Sequence, residues 1–317
     1  MPIPHNYIDF PQNVLVPEKK IINDDEYTVY GFRFQGLQDF YHFLKQPYRI
    51  NSEVFDMDDL SSITGKKSFA GKPFKSAVED LVRDVDPKYR EYLSIQKQMK
   101  GRVGTVHKYQ QMKNIAGGSV DPVAYTVGSP EIYRMSRVTK RPKYITIDTQ
   151  VGYYWGTSFE QVFHRAVIIT NLIHALERNG YDVNVNSFMA AENGDEIIQA
   201  IFEVKKHGKR INYQTLYKSL VNVEFFRRLC FRLIEISDVE SDWKDGYGRS
   251  CSEDLARKLL NLEKEDIYFD QPRDMCIEGE DIKEDFRKVI NYLGLEDIID
   301  VEKETENIER GMKVLTK

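Results

Sequence analysis

The sequence is poor in cysteine, with three in 317 residues. They are Cys230, Cys251 and Cys276, an odd number of widely separated thiols without a Cys-x-x-Cys pair. This pattern argues against a disulfide framework and against a zinc ribbon, because both need paired cysteines at short spacings. A reducing compartment suits such a chain. The cysteine content therefore predicts a cytoplasmic protein.

Long apolar runs are absent as well. No stretch approaches the roughly 20 consecutive apolar residues that a helix needs to cross a bilayer. The first six residues contain neither a basic nor an apolar signal region. We therefore expect neither a membrane span nor secretion. An apolar content of 41% with 30% charged residues indicates a soluble globular chain rather than a disordered one.

Motifs of nucleotide chemistry are missing. The chain has neither the Gly-x-x-x-x-Gly-Lys-Ser/Thr pattern of a P-loop nor the Gly-x-Gly-x-x-Gly pattern of a dinucleotide site. Cys251 lies near Asp254 but has no histidine nearby, so no nucleophile and base are recognisable locally. His164 and His174 are about 15 Å apart along a helix, too far to share a metal. These absences favour binding over catalysis.

One complete strand–loop–helix–strand unit is present. Residues 143–148 have the pattern of a buried strand that ends in Asp148, residues 157–179 carry an apolar stripe at helical spacing, and residues 182–188 resemble a second strand. Strands separated by a helix of this length favour a parallel sheet. The sequence predicts an α/β fold with a mainly parallel sheet and helices on both faces.

The start and the end of the helix in this unit are also recognisable from the sequence. Thr157 and Glu160 have the spacing of a capping box at the start of the helix, and Gly180 marks its end. Gly117-Gly118 is the best candidate boundary upstream. We therefore divide the chain into an N-terminal α+β region (1–116), an α/β domain (117–300) and a charged helical or frayed tail (301–317).

Residues 140–300 resemble a von Willebrand factor A-like domain. The resemblance rests on the strand that ends in Asp148, the helix that closes at Gly180, and the strand from Asp182 to Phe188. It implies a magnesium site built on an Asp-x-Ser-x-Ser motif. Asp148 matches that motif, whereas Gln150 and Gly152 replace the serines, and glycine offers no side-chain ligand. The expectation is an A-like scaffold without a metal, with Asp148 as the ligand if Mg²⁺ binds at all.

Three blocks of the chain together resemble an uncharacterised family of tailed-phage and prophage proteins. They are residues 119–131, the A-like unit, and residues 225–232, preceded by Phe69-Ala70-Gly71-Lys72-Pro73-Phe74. The resemblance implies a phage or prophage origin, a host-cytoplasmic location and an association with virions as a further option. It implies no particular activity.

The loop that follows Asp148 is the first candidate site, because ligands of open α/β sheets bind at the carboxyl ends of the strands. The loop offers aromatic and polar side chains and leads into a helix N-terminus, which favours anions. A second aromatic loop lies further along the chain. The predicted partner-binding residues are Asp148, Gln150, Tyr153, Tyr154, Trp155, Ser158, Trp243 and Tyr247.

A nucleic-acid interface is the alternative. The net charge of −5 opposes a whole-molecule attraction to polyanions, but local basic stretches interleaved with aromatics can follow a single strand. Glu224 and Glu235 offer internal partners to the arginines. The candidate residues are Lys97, Lys100, Arg102, Lys108, Lys113, Arg227, Arg228 and Arg232.

The sequence therefore leaves three functions open. The first is a non-enzymatic binding or assembly protein with a protein partner and without a cofactor, in which homo-oligomers are an option. The second is a nucleic-acid-binding protein that uses residues 97–113 and 224–235. The third is an enzyme that depends on a divalent metal at Asp148. Binding is the preferred prediction.

Overall fold

The computed structural model describes residues 18–46, 72–83, 87–99, 108–114, 119–140, 143–154, 156–237, 239 and 249–313. The strands are β1 (Glu18–Ile22), β2 (Asp25–Phe34), β3 (Lys108–Asn114), β4 (Ser119–Val120), β5 (Tyr133–Lys140), β6 (Lys143–Gln150), β7 (Tyr181–Asn193), β8 (Glu196–Lys205), β9 (Arg249–Ser250) and β10 (Ile267–Phe269). The helices are α1 (Leu37–Leu44), α2 (Phe74–Asp80), α3 (Pro87–Met99), α4 (Pro122–Thr126), α5 (Phe159–Arg178), α6 (Tyr213–Val221), a π-helix (Phe225–Cys230), α7 (Phe231–Glu235), α8 (Glu253–Leu260), α9 (Ile282–Leu293) and α10 (Val301–Lys313).

The strands form one large and one small sheet. The large sheet has the order β1-β2-β8-β7-β6-β10, and β9 pairs with the far end of β7. The pairs β2–β8, β7–β6 and β6–β10 are parallel, whereas β1–β2, β7–β8 and β7–β9 are antiparallel. The small sheet is antiparallel with the order β3-β5-β4. The predicted α/β class is confirmed, and the large sheet is mixed.

The antiparallel pair β7–β8 differs from the series of parallel strands that the sequence predicted. Gly194 and Asp195 are the only residues between the two strands, and a link of two residues is too short for a crossover. Gly194 has a φ of +62°, a conformation that favours glycine. A Gly-Asp pair between two strand patterns is a hairpin signal, and it accounts for the antiparallel direction.

One face of the large sheet is apolar and carries most of the helices. Ile147, Val185 and Phe202 belong to a hydrophobic core that also includes residues of α1, α2, α3, α5, α6, α9 and α10. Alternation along each strand places every second side chain on this face. The face is continuous across neighbouring strands, because the parallel register sets Ile147 beside Val185.

The opposite face is partly polar. The register aligns Asp148 with Asn186 and Asn186 with Glu203 across three neighbouring strands. At one end this face is apolar instead, and α8 covers it through Leu255, which packs in a second cluster with Phe188. Helices therefore lie on both faces, with α8 on the polar side. No helix in the described ranges is long and apolar enough to cross a membrane.

Residues from all three predicted divisions share one core. Phe32 of β2 and Tyr92 of α3 belong to the same hydrophobic cluster as Ile147, and Ile308 of α10 is fully buried in it. The carboxylate of Glu304 forms an ion pair with Arg178 at 2.5 Å. Described residues on both sides of the predicted divisions at residues 117 and 301 therefore contribute to one hydrophobic cluster, and the charged C-terminal segment is helical as far as residue 313.

Candidate functional site

The carboxyl end of β6 leads into a short loop and then into α5. Ser158 caps the helix by accepting a hydrogen bond from the Gln161 amide at 3.2 Å, and Gln161 Oε1 accepts one from the Ser158 amide at 2.8 Å. This reciprocal pair is a capping box. It lies one residue later than the predicted pair of Thr157 and Glu160, because Ser158 has the extended backbone of a cap.

Asp148 is buried on the polar face of β6, with 1% of its surface exposed. Asn186 Nδ2 donates a hydrogen bond to Asp148 Oδ1 at 2.9 Å. Burial raises the pKa of Asp148 to about 6, and Asp266 adds to the increase, while the Asn186 hydrogen bond and Arg33 oppose it. Desolvation penalises the charged carboxylate more strongly than its hydrogen bond favours it. Asp148 is therefore an ionisable group held out of water.

Gln150 and Arg165 join the end of β6 to the first turns of α5. Both side chains are completely buried. Arg165 Nη1 donates to the backbone carbonyl of Gln150 at 2.8 Å, and Gln150 Oε1 accepts from the amide of Gly152 at 3.3 Å. Burial lowers the pKa of Arg165 to about 10. At neutral pH Arg165 is therefore a buried cation.

Tyr153 lies between two arginines. Its ring centroid is 5.9 Å from Cζ of Arg165 and 4.8 Å from Cζ of Arg227, distances at which a cation interacts with an aromatic face. Burial raises the pKa of Tyr153, which keeps the phenol neutral. Arg227 Nη2 also donates to the carbonyl of Tyr154 at 3.2 Å. The π-helix that carries Arg227 thus holds the loop after β6 in place.

Gly152 is tightly packed in this loop. A side-chain carbon at this position would lie 3.1 Å from Ser250 Oγ and 3.3 Å from the ring of Phe226, closer than most such contacts. A serine here, as in the A-domain motif, would need its neighbours to shift. The close approach gives a packing reason for glycine at the third position of the motif.

The loop after β10 contacts the loop after β6. Gln271 Oε1 accepts a hydrogen bond from the amide of Tyr154 at 3.0 Å, and Cζ of Arg273 lies 6.0 Å from the Tyr154 ring centroid. Burial raises the pKa of Asp270 to about 6; Asp274 also raises it, whereas Arg165 lowers it. The two loops form one surface at the carboxyl ends of β6 and β10, which we call the β6–β10 edge.

The predicted partner-binding residues separate by exposure at this edge. Asp148, Gln150 and Tyr153 are buried and support the loop from inside. Tyr154 is 46% exposed, and Ser158 is exposed beside it. The remaining candidates, Trp155, Trp243 and Tyr247, lie outside the described residues.

The predicted nucleic-acid residues do not form one exposed stripe where the structure describes their side chains. Arg227 and Arg228 are buried, and Arg232 pairs with Glu235 at 3.1 Å while its own side chain is 11% exposed. Lys113 is exposed on β3, and the backbone of Lys108 begins the same strand. The side chain of Lys97 in α3 lies outside the described residues, as do Lys100 and Arg102.

A preformed metal site is not found in the described part of the chain, where no group of three or more His, Cys, Asp or Glu side chains is arranged to hold an ion. His164 Nδ1 lies 2.7 Å from Asp285 Oδ2, and the same carboxylate accepts the amides of Glu278 and Gly279 at 2.9 Å. The second histidine, His174, is bonded to the Tyr213 hydroxyl at 2.9 Å. Both histidines thus contact other elements of the fold.

The sequence analysis missed Arg165, Asp270 and Gln271. A signal for Arg165 was available, because a lone arginine within the apolar sequence from Val162 to Leu176 is rare on a buried helix without a partner. Asp270 and Gln271 follow the short strand β10, and the same rule that indicated Asp148 applies to them. Their proximity to Tyr154 depends on the parallel pairing of β6 with β10, which sequence pattern alone does not specify.

These features define an α/β protein with a polar edge at the carboxyl ends of two parallel strands, the usual place for a binding site in this class. The chain belongs to the family described as "Domain of unknown function (DUF7192)", which matches residues 16–297. No curated protein matches the chain, and no solved structure matches it either.

Proposed function

We propose that this chain is a non-enzymatic binding or assembly protein that contacts a protein partner through the β6–β10 edge. The observation that carries the proposal is Tyr154, a large aromatic side chain that is 46% exposed on a fixed backbone. Its amide donates to Gln271 and its carbonyl accepts from Arg227. Tyrosines held in this way bind partners at a low cost in conformational entropy and are enriched at interface hot spots.

The burial of the ionisable groups supports binding over chemistry. Asp148 has a raised pKa of about 6, which by itself would suit a general base. It is nevertheless buried and bonded to Asn186, whereas a general base must reach a substrate proton directly or through one water. Several groups reach solvent at this edge, among them Tyr154, Ser158 and Arg273, and Asp270 is half-buried. Exposed aromatic and polar side chains of this kind suit a contact surface.

The A-like arrangement is part of the proposal. It is supported by a central strand that ends near Asp148, by the long helix α5 that follows, and by the parallel pairing of β6 with β7. A phage or prophage origin, a cytoplasmic location and an association with virions rest on the sequence resemblance. Self-association through the same edge is an option that the partner experiment also tests.

Affinity capture from prophage-induced cells tests the proposal. The wild-type chain and a Tyr154→Ala variant are used as baits, and Tyr144→Ala is the matched control because Tyr144 is 63% exposed at the opposite end of β6. We expect a protein that is retained by the wild type and by Tyr144→Ala but lost with Tyr154→Ala. Equal retention by all three baits would contradict the assignment of this edge.

A second function, binding of single-stranded nucleic acid, is favoured by the register of the small sheet. Lys113 pairs with Arg134, and Lys108 pairs with Lys140. Like charges directly opposite each other in a sheet are destabilising, and a polyanion along the strands would compensate for them.

Filter binding at graded salt tests this second function. We expect salt-sensitive retention of DNA or RNA that Lys113→Glu weakens, because the substitution reverses one of the two positive charges at this register position. Lys75→Glu on α2 is the control, since Lys75 is exposed and carries the same charge change. Retention that is absent, or that both variants weaken alike, would contradict the nucleic-acid proposal.

A further inference from the structure

Arg165 is a buried cation, and two of its three side-chain nitrogens have no hydrogen-bond partner among the described residues. Among the described residues, Nη1 has a partner in the Gln150 carbonyl at 2.8 Å, whereas Nε and Nη2 have none. The side chain has no exposed surface, and the described residues form no ion pair with it. Nε and Nη2 are the two nitrogens on one edge of the guanidinium, the edge that binds both oxygens of a carboxylate side by side.

An arrangement of this kind is costly without an anion. Burial of an unpaired charge is among the largest penalties in a folded protein, and buried arginines are normally paired. The direction of the pKa of Arg165, which burial lowers to about 10, agrees with a missing counter-charge. Asp270 is close enough to oppose this decrease, but it does not pair with Arg165.

Two neighbours of Arg165 carry further unmade donors. Gln150 Nε2 and Tyr153 Oη are both buried without a hydrogen-bond partner in the described part of the chain. Gln150 holds Nη1 through its carbonyl, and Tyr153 stacks on the guanidinium at 5.9 Å. The cluster therefore presents an excess of donors, which is the composition of an oxyanion receptor.

We infer that Arg165, Gln150 and Tyr153 form a carboxylate-binding site beneath the β6–β10 edge, with Arg165 as its bidentate anchor. A carboxylate fits better than phosphate on grounds of charge. One uncompensated guanidinium balances a monoanion, whereas the nearby Asp270 disfavours a second negative charge. The free edge of the guanidinium is planar and matches two oxygens at carboxylate spacing.

Such a carboxylate has two sources, a small organic acid or the terminal or side-chain carboxylate of a protein partner. The inference deepens the proposed partner site and, in its second form, rests on it. The site is buried, so an anion reaches it only when the hydrogen bonds of Arg227 and Gln271 to the Tyr154 backbone open transiently. An equilibrium measurement on the isolated chain tests the receptor without requiring the partner to be known.

Thermal unfolding of the full chain is measured with increasing acetate at constant ionic strength, with chloride as the balancing anion. Parallel series use phosphate, sulfate, and a short peptide with either a free or an amidated C-terminus. We expect acetate and the free-carboxylate peptide to raise the Tm of the wild type more than that of Arg165→Met. Phosphate and sulfate, which stabilise most proteins by exclusion from the surface, and the amidated peptide should shift the Tm of both proteins alike. The rise should follow the logarithm of ligand concentration above Kd.

The variant Arg165→Met separates a receptor from a structural residue. Methionine fills a similar volume without the charge, so we expect an anion-free Tm equal to or above that of the wild type and no response to acetate. Arg232→Met is the control. It removes the ion pair that Arg232 makes with the buried Glu235 carboxylate, which should lower Tm while the acetate response persists.

Three outcomes would overturn the inference. The first is a wild type that does not respond to any carboxylate. The second is an equal response in the wild type and in Arg165→Met, which would indicate a general salt effect. The third is a fall in Tm for Arg165→Met as large as that for Arg232→Met, which would mean that the chain itself neutralises Arg165. Partner capture is measured in a separate experiment. A negative result for the carboxylate site therefore does not decide whether the β6–β10 edge binds a partner.

Discussion

The substitution Asp148→Asn is expected to stabilise the protein at neutral pH. Burial raises the pKa of Asp148 from 3.8 to about 6 in the folded state. At about 1.4 kcal/mol per pH unit, that difference corresponds to about 3 kcal/mol. Asparagine keeps an oxygen that can accept the Asn186 hydrogen bond but carries no charge to desolvate. The variant should therefore gain up to about 3 kcal/mol relative to the wild type above the folded pKa.

The sign of the pH dependence follows from the same linkage. A carboxyl with a raised folded pKa binds its proton more tightly when folded, so its contribution is most favourable at low pH and declines as the pH rises from about 4 to about 6. The advantage of Asp148→Asn should therefore be near zero at about pH 4 and reach its full size above about pH 6. Urea unfolding midpoints of both proteins, at a constant denaturant slope, give the difference across this range.

Asp254 provides a control of opposite sign. It is exposed, and the hydrogen bonds from Lys258 and Asn23 lower its pKa, so Asp254→Asn should lose stability at neutral pH, if only slightly. A gap between the wild type and Asp148→Asn that does not change with pH would refute the reasoning. A variant that is less stable than the wild type at neutral pH would refute it as well, since it would mean that the carboxylate is compensated by a group such as a bound cation.

Two further predictions concern the helices. Ile308→Ala should lower the free energy of unfolding by about 2–5 kcal/mol, because Ile308 is fully buried. Urea unfolding midpoints measure this loss, and a negligible change would show that α10 does not dock in solution. Ser158→Ala should cost about 1 kcal/mol, the usual value of an N-cap, whereas Thr157→Ala should cost much less. Thermal unfolding of the two variants measures both costs. A larger loss for Thr157→Ala than for Ser158→Ala would support the capping box at Thr157 that the sequence predicted.

Much of the local structure could be predicted because it depends on neighbours in sequence. The apolar stripe of α5 and the glycine that follows it, Gly180 with a φ of +88°, follow from periodicity and backbone preference. Asp148 could be singled out because it is a carboxylate in an apolar strand pattern, although the strand runs two residues beyond it, to Gln150. In each of these cases the deciding residues lie within one or two turns of each other.

The parts that could not be predicted depend on residues distant in sequence. The pairing of β2 with β8 joins segments about 170 residues apart, and no local pattern specifies such a pairing. The contact of Tyr154 with Gln271 is of the same kind. The burial of Asp148, Gln150 and Tyr153 could not be predicted either. A polar and aromatic segment has the same composition whether it is exposed to solvent or packed beneath its neighbours.

The position of β2 inside the large sheet has a consequence for synthesis of the chain. β2 ends at residue 34 and its partner β8 ends at residue 205. A ribosome that adds about 5–20 residues per second completes β8 on the order of 10–30 s after β2. During that interval β2 has β1 beside it but lacks β8, whose Phe202 stacks on the buried Phe34. The nascent chain therefore carries β2 with one unpaired edge for many seconds, and a chaperone that binds such edges would act on it before the fold can close.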